Sequence, residues 1–222
     1  MHALNTILEK KLLAEKINQY IVHTPSIARK AKAGQFVILR LSDGGERVPL
    51  TIVDHDAEKG TITLIVQTVG KSTKMLDEIE PGEAIQDVLG PLGNPSEIEN
   101  FGRVAVIGGG VGAAVAFPVA KALKLAGNHV TAIVGARNKD LIILKPELEQ
   151  VTDRLLLTTD DGSYGLHGFV TDQLRMLLES GESFDYVLAI GPLFMMRAVA
   201  DLTKPYGIRT TVSLNTIMVD GT

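Results

Sequence analysis

The chain has 222 residues, 45% of them hydrophobic and 22% charged, with a formal net charge of −4 and no cysteine. That length holds one large domain or two small ones around a substantial core, and the composition is globular rather than disordered. The mild acidity supplies no basic field for a phosphate backbone, so nucleic acid is not an expected partner, and the lack of thiols excludes disulfides, thiolate zinc sites, a cysteine nucleophile and an all-thiolate iron–sulfur cluster within these residues.

The first stretch, MHALNTILEKKLLAEK, lacks the long apolar core of a signal peptide, which predicts a cytoplasmic chain. From there to about residue 100, apolar residues alternate or come in short runs between turn signals: YIVHTP, GQFVILRLSDGG, VPLTIVDHD and GTITLIVQTVG. Short strands separated by Gly, Pro and Asp predict an antiparallel barrel or sandwich. One helix is expected to interrupt them at KSTKMLDEIEPG, with Ser72 or Thr73 as N-cap and Pro81-Gly82 as the stop. LGPLGNPSEIENFG reads as a hinge, dividing the chain into residues 1–100 and 101–222.

Beyond Gly102 the pattern changes to strand, helix, strand, helix. VAVIG precedes a helix to about Ala126, HVTAIVG precedes a short helix at KPELEQV, and RLLLTT leads through a glycine loop into GFVTDQLRMLLESG. DYVLAIG then feeds PLFMMRAVADLTKPYG, and IRTTVSL closes the series. Five strands alternating with helices predict an α/β domain with a parallel five-stranded sheet covered on both faces. The uncharged run Val104 to Ala120 approaches the length of a short membrane span. About 20 apolar residues are usually needed, however, and its glycines and Pro118 divide it into a strand and a helix start, so no membrane segment is expected.

Gly108-Gly109-Gly110-Val111-Gly112-Ala113 follows a strand and opens a helix, the context of a dinucleotide phosphate fingerprint. Small residues admit a pyrophosphate close to backbone amides, and the helix N-terminus adds partial positive charge. A tight turn with no ligand gives the same glycines. The usual dinucleotide fold also has an Asp or Glu at the end of the second strand to hold the ribose. That strand ends here in Gly135, Ala136 and Arg137. Two further glycine loops, TTDDGSYGLHG and AIGPLFMM, follow strands of the same half and are expected to converge with the first at the carboxyl edge of the sheet.

In the front half, Arg47, Pro49 and Thr51 share one face of a strand in RVPLTI, so a guanidinium fork and a hydroxyl can reach along one ligand such as a pyrophosphate. An exposed Arg and Thr are also ordinary strand surface. Gly70, Ser72 and Thr73 in VGKSTKML lead into a helix whose N-terminus suits the same phosphate, or is simply a capped helix.

With these segments in order, the chain resembles the ferredoxin–NADP reductase superfamily. Arg47-Val48-Pro49-Leu50-Thr51 matches its flavin motif Arg-x-(Pro or Tyr)-(aliphatic or Ser)-(Ser or Thr), Gly70 to Thr73 its second flavin-phosphate segment, and LGPLGNP its hinge. The resemblance implies an N-terminal all-β Greek-key barrel binding FAD, followed by the α/β nucleotide domain. Within the superfamily, GARNKDLIIL, TDDGSYGLHGFVTDQL and SLNTIMVDG resemble electron-transfer subunits of the dihydroorotate dehydrogenase type and small subunits of the NADH-dependent ferredoxin–NADP oxidoreductase (sulfide dehydrogenase) type.

The resemblance implies hydride transfer between NAD(P)H and flavin, then release of single electrons towards a larger dehydrogenase subunit, glutamate-synthase-like or dihydroorotate dehydrogenase-like, with ferredoxin as a further partner. It assigns Arg47 to the flavin pyrophosphate, Pro49 and Leu50 to the flavin motif, Thr51 to the ring or ribityl chain, and Gly70, Ser72 and Thr73 to phosphate. Val66, Gln67 and Thr68 fall on its strand along the flavin. Gly109, Gly110 and Gly112 are assigned to the nucleotide pyrophosphate, Gly191, Pro192 and Met195 to the nicotinamide, and Arg137 and Asp161 to the adenosine, with NAD(H) favoured over NADP(H). No side-chain acid or base is obligatory, since the cofactors carry the redox chemistry. In such subunits cysteines beyond VDGT hold a [2Fe–2S] cluster, so a cluster is expected only in a longer chain, of which this is expected to be a truncated form.

The five histidines, His2, His23, His55, His129 and His167, lack paired metal spacing, and Ser163 lacks a nucleophile-elbow pattern. Asp160-Asp161 more often caps a turn than holds a metal. Two other functions remain compatible with these residues: a stand-alone flavin reductase, and a regulatory or assembly module that keeps the fold without flavin.

Overall fold

A computed structural model describes residues 3–214. Two compact units divide between Ser96 and Glu97.

The first unit contains β1 (Ile7–Ala14), β2 (Ile17–His23), a one-turn α1 (Pro25–Ala28), β3 (Phe36–Arg40), β4 (Arg47–Thr51), β5 (Asp54–Asp56), β6 (Thr61–Gln67), α2 (Lys71–Glu78) and β7 (Asp87–Leu92). The strands form two antiparallel sheets, in the orders β1-β2-β6-β5 and β4-β3-β7. Neighbours far apart in sequence, β2 with β6 and β3 with β7, mark Greek-key wiring rather than a meander. Both sheets turn apolar faces into one core: Tyr20 and Val22 of β2, Val37 and Leu39 of β3, Ile62, Leu64 and Val66 of β6, with Leu76 of α2 closing it.

Two local features depart from the simple alternation. VPLTIVDHD is not one strand, because Ile52 and Val53 are both buried and the chain changes sheets there. The Ile52 amide bonds Gln35 of the three-stranded side, and the Val53 amide bonds Thr63 of β6. The short helix at Pro25 adds to the single helix predicted in this half, its proline sitting at the first helical position, where no amide is required.

The second unit contains β8 (Arg103–Gly109), α3 (Gly112–Leu125), β9 (His129–Ala136), α4 (Lys145–Val151), β10 (Arg154–Thr159), β11 (Leu166–His167), α5 (Val170–Glu179), β12 (Tyr186–Ile190), α6 (Leu193–Thr203) and β13 (Arg209–Val212). All strands are parallel, in the order β11-β10-β9-β8-β12-β13. The predicted five strands are there, and a sixth of only two residues is added where the glycine loop after β10 folds back beside Thr158 and Thr159. Two residues between glycines carry no periodicity, so nothing in the sequence announces it.

Central strands β8 and β12 are buried almost throughout, as apolar runs covered on both faces require. Val104 to Ala120 divides between β8 and α3, and α3 continues through Pro118 to Leu125. Among the described residues no helix is long and apolar enough to cross a membrane. Of the segment SLNTIMVDG, all but its first two residues lie outside the described residues.

Candidate functional site

In the first unit, Arg47 and Pro49 stand exposed on β4 and Thr51 lies half-buried on the same face, while Leu50 turns inward against the core. Among the described residues the Arg47 guanidinium has no hydrogen bond or ion pair. Such a group at the start of a short strand is free to engage an anion.

The N-cap of helix α2 is Gly70, not Ser72 or Thr73 as the capping pattern predicts. Thr73 sits at the third helical position instead, where its Oγ1 accepts from the amides of Val69 (3.0 Å) and Gly70 (2.9 Å) and donates to the Gly70 carbonyl (3.1 Å). This is the reverse half of a capping box, working with a glycine cap that has no side chain. The first intrahelical bond runs from the Lys74 amide to the Gly70 carbonyl. The amides of Lys71, Ser72 and Thr73 therefore face outward without an acceptor in the helix. Ser72 Oγ donates to the Glu46 carboxylate, which ties the start of β4 to the start of α2.

The position of α2 is fixed from its other end. Asp77 Oδ1 accepts from Asn18 Nδ2 at 2.7 Å and from the Tyr20 hydroxyl at 3.4 Å, and Lys10 Nζ bonds the Asp77 carbonyl. Burial, with the Asp77 charge beside it, raises the Tyr20 hydroxyl far above the ordinary tyrosine range, so it stays a donor.

The fit to a flavin dinucleotide rests on two further features. Gly70 has an extended backbone (φ −114°) that any residue adopts, and a Cβ there would meet nothing within 4 Å. Nothing in the chain demands a glycine, whereas a phosphate lying against the backbone does. Thr68 Oγ1 is buried with no hydrogen-bond partner. Gln67 ends β6 and Thr68 follows it directly; the strand pairs with β2 along its whole length but with β5 only at Thr61–Thr63. Beyond Thr63, that edge of β6 has no ladder partner among the described residues. Val66 itself is 3% exposed and belongs to the core, so only its backbone can take part.

In the second unit the three predicted loops do converge. The Gly110 amide bonds the Gly135 carbonyl (2.8 Å), joining the turn after β8 to the end of β9. The amides of Asp160 and Asp161 bond the carbonyls of Ala136 (3.1 Å) and Arg137 (3.2 Å), joining the loop after β10 to the same place. On the other side, a Cβ on Gly109 would lie 2.5 Å from Met195 Sδ and 3.2 Å from Pro192 Cδ. A Cβ on Gly112 would strike the carbonyl of Ile190 and lie 3.0 Å from Gly191 Cα. These two glycines are thus accounted for by packing between the turn after β8 and the loop after β12. Gly110 differs: it has φ +58° and open space beyond it.

Arg137 and Asp161 meet through their backbones, and the Arg137 guanidinium has no partner among the described residues. Asp161 Oδ1 accepts from the Ser163 amide at 2.9 Å, and the Ser163 hydroxyl accepts from the Lys139 amide, also at 2.9 Å. Hydrogen bonds from Ser163 hold the Asp161 carboxyl below its usual range, so it is a fixed anion. It comes from the third strand's loop to the end of the second strand, where the usual ribose-binding acid is missing.

Residues 5–96 match the family described as oxidoreductase FAD-binding domain. The chain is 47% identical, over 99% of its length and 77% of the relative's, to the dihydroorotate dehydrogenase B (NAD(+)), electron transfer subunit homolog of Thermotoga maritima. The chain belongs to the ferredoxin-reductase-like family of oxidoreductase electron-transfer subunits. This family also includes the dihydroorotate dehydrogenase B (NAD(+)) electron transfer subunit of Geobacillus thermodenitrificans, 30% identical over 87% of this chain and 76% of that one. Among solved structures, a chain of the NADH-dependent reduced ferredoxin-NADP oxidoreductase, reported for flavin-based electron bifurcation, superposes with TM-score 0.93 at 46% identity, covering 100% of this chain and 80% of that one.

Sequence reasoning missed Glu46. Its signal was its place beside Arg47 in GERVPL, but only folding shows that the β4 start meets the α2 start. Among the described residues no group of three or more His, Cys, Asp or Glu could hold a metal ion. With no cysteine in the chain, these residues offer no thiolate ligand.

Proposed function

We propose that the chain takes electrons from NADH into FAD and passes them to a larger dehydrogenase-type partner subunit. The observation that carries this reading is the 47% identity running through both units, since neither unit's architecture alone specifies a reaction. When bound, FAD accepts a hydride from the dihydronicotinamide and gives up its electrons one at a time.

The work of the chain is to bind and orient. Arg47 neutralises the flavin pyrophosphate from β4, and the outward amides of Lys71, Ser72 and Thr73 donate to it from α2 with the help of the helix dipole. Gly70 lets the phosphate approach. Pro49 and Thr51 line the same strand face, and Gln67 and Thr68 offer polar groups where β6 loses its second partner. In the other unit the open Gly110 and the adjoining amides of Val111 and Gly112 receive the nucleotide pyrophosphate. Gly109, Gly191, Pro192 and Met195 form a close-packed floor beside it for the nicotinamide.

Nucleotide choice turns on Asp161 and Arg137. A fixed carboxylate accepts both ribose hydroxyls of NADH but repels a 2′-phosphate, while the Arg137 guanidinium is left to stack on adenine. NADH is therefore the preferred donor. The partner is a subunit of the dihydroorotate dehydrogenase or glutamate synthase kind, with ferredoxin as a further acceptor, and a [2Fe–2S] cluster enters only in a longer chain.

The test is to incubate the purified chain with FAD, remove free flavin, and follow the visible flavin band under anaerobic titration with NADH and NADPH. The expected result is a retained band, bleached by NADH at about tenfold lower concentration than by NADPH, a difference of about 1.4 kcal/mol. A chain that retains no FAD is a flavin-free module, and one that turns over only free flavin is a stand-alone reductase. Either result overturns the proposal, and preference for NADPH overturns the role of Asp161.

A further inference from the structure

We propose that Glu46 sets the flavin affinity of this chain by competing with the flavin pyrophosphate for the N-terminus of α2. This rests on the reading of that N-terminus as the phosphate cradle.

Donors at the cradle are few, and each can be followed. The Thr73 hydroxyl donates to the Gly70 carbonyl while accepting two amides, so it is committed to the turn. The Ser72 hydroxyl donates to Glu46. What remains free is the Arg47 guanidinium, the Lys71 ammonium and the amides of Lys71, Ser72 and Thr73. Of the two hydroxyls that the family resemblance assigns to phosphate, that of Thr73 is held by its own turn and that of Ser72 is unavailable while Glu46 stays in place.

Through the Ser72 hydroxyl the Glu46 carboxylate reaches the first turn of α2, where the helix dipole favours negative charge. A pyrophosphate placed there meets a like charge at hydrogen-bond range of Ser72, and like charges at such distances oppose each other strongly. Glu46 must therefore swing away from Ser72 when the flavin enters. Both Glu46 and Arg47 are exposed and follow the glycine pair Gly44-Gly45 in the turn between β3 and β4, so the side chain has room to leave. When it does, the Ser72 hydroxyl is released to donate to phosphate. In the flavin-free chain, Glu46 engages the Ser72 hydroxyl and adds a negative charge beside the free amides of the first turn.

The experiment is a titration of FAD into the flavin-free chain, read by quenching of flavin fluorescence, with thermal unfolding of the same samples. Glu46→Gln keeps the shape and removes the charge. It is expected to tighten FAD binding by about three- to tenfold and to lower the unfolding midpoint of the flavin-free chain, while leaving that of the loaded chain unchanged or higher. In a Ser72→Ala background the gain from Glu46→Gln should shrink, because the contact holding the carboxylate at the cradle is already gone. Parent and variant chains that bind FAD equally, or a variant that binds it more weakly, overturn the proposal while leaving the flavin reading intact. A gain of full size in the Ser72→Ala background reassigns the effect to general charge and also overturns it. If neither chain binds FAD, the flavin reading falls and this inference falls with it.

Discussion

The Arg47 side chain is exposed at the head of β4 and has no hydrogen bond or ion pair among the described residues, so the binding role proposed for it can be tested apart from stability. Arg47→Ala is expected to weaken FAD binding by about 10- to 100-fold, the equivalent of about 1.5–3 kcal/mol for a hydrogen bond to a charged group. The unfolding midpoint of the flavin-free chain should not move, and a variant that loses stability as much as affinity would assign Arg47 to the scaffold. The Arg47, Pro49, Thr51 face was legible in the sequence because strand spacing is strictly alternating. Glu46 and Asp161 were harder to interpret, because their meaning depends on partners in other elements: Ser72 of α2 for the one, and the Arg137 carbonyl at the end of β9 for the other.

At the scale of elements, the glycines between β8 and α3 answer different constraints, close packing at Gly109 and Gly112 and a positive φ at Gly110. Gly109 and Gly112 face the loop after β12, and Gly110 alone faces open space. Gly112→Ala drives a methyl group into the Ile190 backbone, which cannot rotate away as a side chain can. The expected cost is about 1–3 kcal/mol of stability in the absence of any nucleotide, as for an overpacked core, measured by chemical unfolding. A Gly112→Ala chain as stable as its parent would remove the packing explanation and return that glycine to the ligand. Helix α2 is a comparable case: its existence was readable, but the helix ends at Glu78, short of Pro81-Gly82, and its cap was misplaced by two or three residues. A hydroxyl at the third helical position and one at the cap look alike in sequence, and only the bonds from Val69 and Gly70 to Thr73 distinguish them.

At the scale of the whole molecule, each unit must survive as a cooperative fold for its loops to keep their geometry. Asp153 ties α3, β9 and β10 of the second unit together, accepting from Lys124 Nζ at 2.5 Å and the Val130 amide at 2.8 Å, with His129 Nδ1 at 3.6 Å. Burial pushes its carboxyl up, but those bonds and the neighbouring charges outweigh burial and hold it below the usual aspartate range. A carboxyl depressed in the folded state contributes stability above its unfolded pKa of about 3.9, and that contribution is lost as pH falls through the lower folded value. Asp153→Asn should therefore unfold at a lower temperature than the parent at neutral pH, with the gap narrowing below about pH 4. A gap independent of pH would show that the charge is not what matters.

The sequence by itself determined the division into an antiparallel β half and a parallel α/β half, because periodicities of two and 3.6 residues and the turn residues between them are local properties of the chain. It also determined which loops carry glycine and which strand presents an arginine. Only the tertiary structure decided which of those residues meet. It spent Thr73 on its own turn, set Glu46 against Ser72, buried Val66 in the core, assigned Gly109 and Gly112 to packing, and brought Asp161 to the place of the missing acid. These are contacts between residues far apart in the chain, fixed by sheet order and strand register, and no local pattern encodes them.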